Sequence, residues 1–139
     1  METATKAAAR TLSCRRLLIF DDDALVGKTI EFIAEDAGFS ARFVSDQDAF
    51  LALVESWQPS HIVLDLIMPG VDVTDLIKRL GQLGCRARIL IMSGAGQGMV
   101  DAAVGFTTQN GLDLAGVLPK PFSRRALFDM LVAEHERSG

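Results

Sequence analysis

Cysteine is scarce in this chain: Cys14 and Cys85 are the only two among 139 residues. They are far apart and show no C-x-x-C spacing, so no disulfide framework or cysteine zinc site is indicated. Two free thiols in a reducing, cytoplasmic compartment are expected instead. No apolar run approaches the roughly 18 residues that a membrane span needs. Residues 1–16 are Ala-rich and basic but lack the apolar stretch of a secretion signal. An excess of positive charge is missing as well. The net charge is −4, and Lys6, Arg10, Arg15 and Arg16 all fall in that leader. The rest of the chain is therefore more acidic still, a poor direct partner for nucleic acid. Residues 1–15 read as a flexible leader and residues 16–139 as one domain of ordinary size. Nearly half the residues, 49%, are apolar and 23% are charged, which suits a single globular core and not a disordered chain.

What is present is a short apolar run followed by an amphipathic stretch, five times over. Leu17-Leu18-Ile19-Phe20 is apolar on both faces, as a buried parallel strand requires. Val26, Ile30, Ile33 and Ala37 then predict a helix over 24–37, stopped at Gly38. A second strand is expected over 41–44. The helix after it is capped by Ser45 or Asp46, buries Phe50, Leu53, Val54 and Trp57, and ends at Pro59. The third strand, 61–64, runs into Asp65. Met68-Pro69-Gly70 is a turn, and a helix over 74–83 turns Leu76, Ile77, Leu80 and Leu83 inward. A strand over 88–92, a glycine-rich loop from Ser93 to Gly98, a helix over 99–109 and a strand over 115–118 follow. Ser123 caps a last helix reaching about His135. Parallel strands need crossover connections, so five such repeats make an α/β domain with helices on both faces of the sheet.

The reactive side chains cluster at strand ends. Asp21 and Asp22 follow the first strand, Asp65 the third, Ser93 the fourth, and Lys120 the fifth. In an open α/β sheet, ligands bind beyond the carboxyl ends of the strands, where the strand order switches direction. For an order 2-1-3-4-5 these residues converge there. Three carboxylates in one crevice repel, and a hard divalent cation relieves them; Mg²⁺ suits one or two carboxylates plus water and phosphate, with Mn²⁺ as an alternative. A carboxylate is already ionised at neutral pH and can take a phosphoryl group without a general base. The remaining work is positioning and charge neutralisation, for which Lys120 and the Ser93 hydroxyl are available. Gly94, Gly96 and Gly98 do not fit G-x-G-x-x-G, because Met99 stands at the last position; they read as loop flexibility. Asp23 reads as a helix cap, and His61 and His135 as structural or surface residues.

Asp21-Asp22 after an apolar strand, Leu64-Asp65-Leu66-Ile67-Met68-Pro69-Gly70, Ser93-Gly94 and Lys120-Pro121-Phe122 together resemble the receiver domain of bacterial two-component response regulators. The resemblance covers about residues 16–135. It implies a flavodoxin-like, doubly wound five-stranded parallel sheet of order 2-1-3-4-5 with five helices, and a receiver domain over 16–139. It implies that Asp65 is the phosphoacceptor for a sensor histidine kinase or histidine phosphotransfer protein. Asp22, Asp65 and the backbone carbonyl of Ile67 would hold the metal, with Asp21 acting mainly through water. Ser93, Gly94 and Lys120 would meet the phosphoryl group, and the Lys120–Pro121 bond would be cis. Such a domain is no enzyme beyond its own phosphorylation chemistry. It passes its signal to a downstream output protein or domain, with neither nucleic acid nor membrane as a direct partner. The chain departs from the pattern at Val117, where many receivers carry an aromatic residue, and at Val73, where a glycine is usual.

Two other readings compete. Leu18-Ile19-Phe20-Asp21-Asp22-Asp23 also resembles the first motif of haloacid-dehalogenase-type phosphatases, with Asp21 as nucleophile, although no acidic pair follows Lys120. A receiver-like binding module that works without phosphate is the other.

Overall fold

The computed structural model describes residues 15–94 and 96–133. The leader expected at the N-terminus, apart from Arg15, and the residues after 133 lie outside the described residues. Ten elements alternate along the chain. They are β1 (Arg16–Phe20), α1 (Ala24–Asp36), β2 (Ser40–Val44), α2 (Gln47–Ser56), β3 (His61–Asp65), α3 (Val73–Gln82), β4 (Arg88–Ser93), α4 (Gln97–Gln109), β5 (Asp113–Pro119) and α5 (Arg124–Val132). The strands form one parallel sheet in the order β2-β1-β3-β4-β5, the flavodoxin-like order.

Alternation along each strand sends side chains to two separate cores. Leu18, Phe20, Ile62, Leu64, Ile89 and Ile91 face α2, α3 and α4, where they meet Phe50, Leu76, Ile77, Leu80 and Val100. Leu17, Ile19, Val63, Leu90 and Met92 face α1 and α5, where they meet Ile30, Ile33, Leu127 and Leu131. A sheet apolar on both faces is what the continuous apolar runs require. Helix starts are fixed by side-chain caps: Asp23, Asp46, Asp72 and Ser123 each accept a backbone N–H from the first turn. Helix stops at Gly38 and Gly84 use positive φ, 90° and 69°, which glycine adopts without steric cost.

Several boundaries differ from the sequence expectation. Leu83 is not inward; it is 43% exposed, because α3 ends at Gln82 and the chain turns away through Gly84. The strand expected over 115–118 runs from Asp113 to Pro119, with a register shift opposite Ile89/Leu90. As an edge strand it is half-buried and lacks the continuous apolar signature of the central strands. Helix α4 begins two residues earlier than expected, after Gly96, which offers no side-chain cap.

Two features mark the opposite end of the sheet from the carboxylates. Trp57, the C-cap residue of α2, has the guanidinium of Arg42 4.8 Å and that of Arg16 5.9 Å from its ring centre. His61 is buried at the start of β3, with its Nδ1 2.9 Å from the Ser60 hydroxyl and the Phe39 ring edge-on at 4.8 Å. Burial, reinforced by the charges of Arg88 and Arg15 and opposed by Asp113, lowers its pKa from 6.5 to about 4. The folded protein therefore keeps His61 neutral where the unfolded chain protonates it. Its contribution is fully present above pH 6.5 and is lost as pH falls toward 4, by up to about 3 kcal/mol. Urea unfolding of the wild type and a His61→Leu variant at pH 7.5, 6 and 4.5 should show the wild type losing more stability on acidification.

Candidate functional site

Register places the strand ends at a common level. Phe20 pairs with Leu64, so Asp21 and Asp65 each follow one step beyond a matched pair. Asp65 pairs with Met92 and Ser93 with Pro119, and the Lys120 amide donates to the Ser93 carbonyl at 2.9 Å. β1 and β3 are neighbours because the chain reverses its direction of travel across the sheet there, the place where α/β crevices form. Asp21 and Asp22 share the crevice because β1 ends at Phe20, so the strict in–out alternation of a strand no longer applies to them.

The three aspartates come together. Asp21, Asp22 and Asp65 each present a carboxylate oxygen within 4.8 Å of the others; Asp21 and Asp65 are buried and Asp22 is exposed. Lys120 Nζ donates to Asp65 Oδ2 at 3.2 Å and lies 3.5 Å from Asp21 Oδ2. The Ile67 amide donates to Asp65 Oδ1 at 3.3 Å. Ser93 is buried beside them at the end of β4, Gly94 is exposed, and the Lys120–Pro121 peptide bond is cis. Asp23, assigned by sequence to capping alone, also donates its amide to Asp21 Oδ1 at 2.9 Å. No residue-type signal marks that bond, since the donor is backbone.

Charge is unbalanced in this crevice. Burial pushes the Asp21 carboxyl up; the Asp23 amide lowers it, the Asp65 charge raises it again, and Lys120 lowers it, for a net rise. Burial pulls Lys120 down, but its hydrogen bond and charge contact with Asp65, followed by the charge of Asp21 at 3.5 Å, outweigh it and leave the ammonium raised. Among the described residues, one lysine, set against Asp21 and Asp65, stands at a cluster of three carboxylates. Asp21 Oδ2 is buried without a hydrogen-bond donor among the described residues. A hard divalent cation with oxygen ligands fits that donor set and that orphaned oxygen.

The fold and this crevice define an α/β domain of the flavodoxin-like class, with its acids gathered at the strand switch point. The model of the response regulator receiver domain family matches residues 17–132, and the chain belongs to that family, the phosphoacceptor module of two-component signalling. It is 32% identical over 115 residues to the transcriptional regulatory protein FixJ of Bradyrhizobium diazoefficiens, covering 83% of this chain and 54% of that protein. It is 32% identical over 124 residues to the sensory transduction protein RegX3 of Mycobacterium tuberculosis, covering 88% and 52%. The chain thus spans about half the length of the curated relatives it matches. Among solved structures, a response regulator from Colwellia psychrerythraea is 28% identical with a TM-score of 0.76, covering 90% of this chain and 99% of that one. This membership displaces the haloacid-dehalogenase-type alternative.

Proposed function

We propose that Asp65 accepts a phosphoryl group from a phosphohistidine on a sensor kinase or phosphotransfer protein. The observation that carries this reading is the pairing of a buried, doubly held carboxylate with Lys120 at 3.2 Å at the strand switch point. An Asp65 oxygen attacks phosphorus, the N–P bond breaks with its electron pair returning to the ring nitrogen, and the donor, protonated on its other ring nitrogen, leaves as neutral imidazole. Lys120, the Ser93 hydroxyl and the Gly94 amide are the groups that meet the phosphoryl oxygens. Asp21, Asp22, Asp65 and the Ile67 carbonyl are the candidate ligands for Mg²⁺, or for Mn²⁺ in its place; when bound, the ion neutralises charge on the transferring group. The signal leaves toward a downstream output protein or domain, in the cytoplasm. The receiver domain takes in residues 16–139, and residues 1–15 are a leader to it.

The test is incubation with a small phosphodonor and Mg²⁺, followed by mass spectrometry and peptide mapping. One added phosphoryl group on Asp65 is expected. Phosphate on Asp21, or none, would remove this reading, and the second outcome would restore the phosphate-independent binding module. Asp22→Ala should weaken Mg²⁺ binding at least ~10-fold, since even partners that only orient metal ligands contribute that much. Calorimetric titration measures it.

Hydrolysis of the acyl phosphate needs a water aligned opposite the Asp65 oxygen. Ile67, two residues past the acceptor, is more than half exposed at the mouth and offers no hydrogen-bonding side chain. Ala95, two residues past Ser93, has none either and lies outside the described residues. The phosphorylated form should therefore be long-lived. A double variant, Ile67→Asn with Ala95→Glu, should lose its phosphate roughly 10- to 100-fold faster, the worth of one positioning hydrogen bond. Decay of the phosphorylated mass in Mg²⁺ buffer, after the phosphodonor is removed, compares the two.

A further inference from the structure

We propose that Asp23 is a positioning residue for the acidic crevice, acting through Asp21. The proposal rests on the metal reading given above and assigns Asp23 a part in it that capping alone does not require.

Asp23 works at both ends. Its amide donates to Asp21 Oδ1 at 2.9 Å. Its carboxylate Oδ1 accepts from the Leu25 amide at 2.9 Å and the Val26 amide at 3.4 Å. Its carbonyl accepts from the Gly27 amide at 2.9 Å. The residue is thus tied to the first turn of α1 in an extended conformation, φ −101° and ψ 108°. In that conformation its amide points back at Asp21. With Oδ1 occupied by the amide, the other Asp21 oxygen is left facing Lys120 and Asp65 with no donor of its own among the described residues. Asp22 lies between the two anchored residues, so the same tie limits where its exposed carboxylate can go. Without the Asp23 side chain, the Leu25 and Val26 amides lose their acceptor, and the bonds of the Gly27 amide to the Asp23 carbonyl and of the Asp21 amide to the Val44 carbonyl are left to hold the turn.

A rival explanation is electrostatic: an exposed negative charge at position 23 would attract cations through space. Asparagine separates the two, because it caps helices as well as aspartate does but carries no charge. Glycine separates positioning from lost stability. It costs a helix start only a few tenths of a kcal/mol at the cap, yet supplies no acceptor. Asp46→Ala is the control, since it removes the equivalent cap of α2, a bond to the Ala49 amide at 2.8 Å, away from the crevice.

The experiment is calorimetric Mg²⁺ titration of the full chain and of Asp23→Ala, Asp23→Gly, Asp23→Asn and Asp46→Ala, with thermal unfolding run alongside. The dissociation constant should rise about tenfold in Asp23→Ala and Asp23→Gly, as for other groups that orient metal ligands. It should stay near the wild-type value in Asp23→Asn and Asp46→Ala. An unchanged constant in Asp23→Gly would overturn the proposal. So would an Asp23→Asn value as weak as that of Asp23→Ala, which assigns the effect to charge, or an equal loss in Asp46→Ala, which assigns it to stability. If wild type itself binds no Mg²⁺, the metal reading fails first and takes this proposal with it.

Discussion

Asp65→Asn should abolish phosphoryl incorporation from any donor while leaving the fold intact. The side chain is buried, and its two oxygens already serve as acceptors, from the Ile67 amide at 3.3 Å and from Lys120 at 3.2 Å. Asparagine keeps one acceptor oxygen and the volume, so the crevice does not collapse. It loses the charge and the second nucleophilic oxygen, and an amide is no phosphoryl acceptor at neutral pH. Loss of a nucleophile removes a covalent route outright, so the expected loss is at least ~1,000-fold. Mass spectrometry after phosphodonor treatment reads it. Because asparagine also removes one of three mutually repelling carboxylates, the variant should unfold at a urea concentration no lower than wild type's. Undiminished labelling of Asp65→Asn would show that another residue takes the phosphate.

Lys120→Met should have the second-largest effect, on two quantities at once. Removing a preorganised cationic donor from a developing phosphoryl charge slows transfer by roughly 10²–10³, so labelling should be detectable but slow. The same change strips the crevice of the ammonium placed against Asp21 and Asp65. A fully buried pair broken in this way costs ~3–5 kcal/mol. The Lys120 side chain keeps 28% exposure, so about 1–3 kcal/mol is expected here. The sign with pH follows from Asp21. Burial already holds its carboxyl above the ordinary 3.8, and Lys120 pulls it down. Without the lysine it rises further. A carboxyl raised in the folded state gives stability that is fully present below its unfolded value and is lost as pH rises through its folded value. The variant should therefore trail wild type most at neutral pH and least near pH 4. Added Mg²⁺ should close part of the neutral-pH gap. Urea melts at two pH values, with and without Mg²⁺, test all three statements.

The central strands and the crevice were legible because both rest on strong local signals. A run such as Leu17–Phe20 must be buried on both faces, and a carboxylate directly after it falls at the carboxyl end of the sheet. The order of strands was needed to bring Asp21 and Asp65 together, and alternating βα units limit that order to few choices. Leu83 misled because the apolar period reaches it while the helix stops at Gln82, leaving it as the C-cap residue before Gly84; spacing alone does not record a stop one residue earlier. Strand β5 was read too short because an edge strand needs no unbroken apolar run, so Asp113 and Leu114 look like loop. The unequal burial of Asp21 and Asp22 was not legible either. It belongs to the turn after Phe20, where the Asp23 amide meets Asp21 Oδ1, and the sequence shows Asp23 only as an acid before a helix.

Trp57 sets how the molecule can be watched. The chain has one tryptophan and no tyrosine, so its near-ultraviolet emission comes essentially from a single ring. That ring sits against Arg16 and Arg42, beside the beginning of β1, while the carboxylates lie past its far end. A strand of five residues at about 3.3 Å per residue separates the two by roughly 15 Å. Emission should therefore change when the arginine contacts come apart on unfolding and stay nearly constant through metal or phosphoryl titrations. The intrinsic fluorophore is a melting thermometer for this fold and a blind spot for its chemistry.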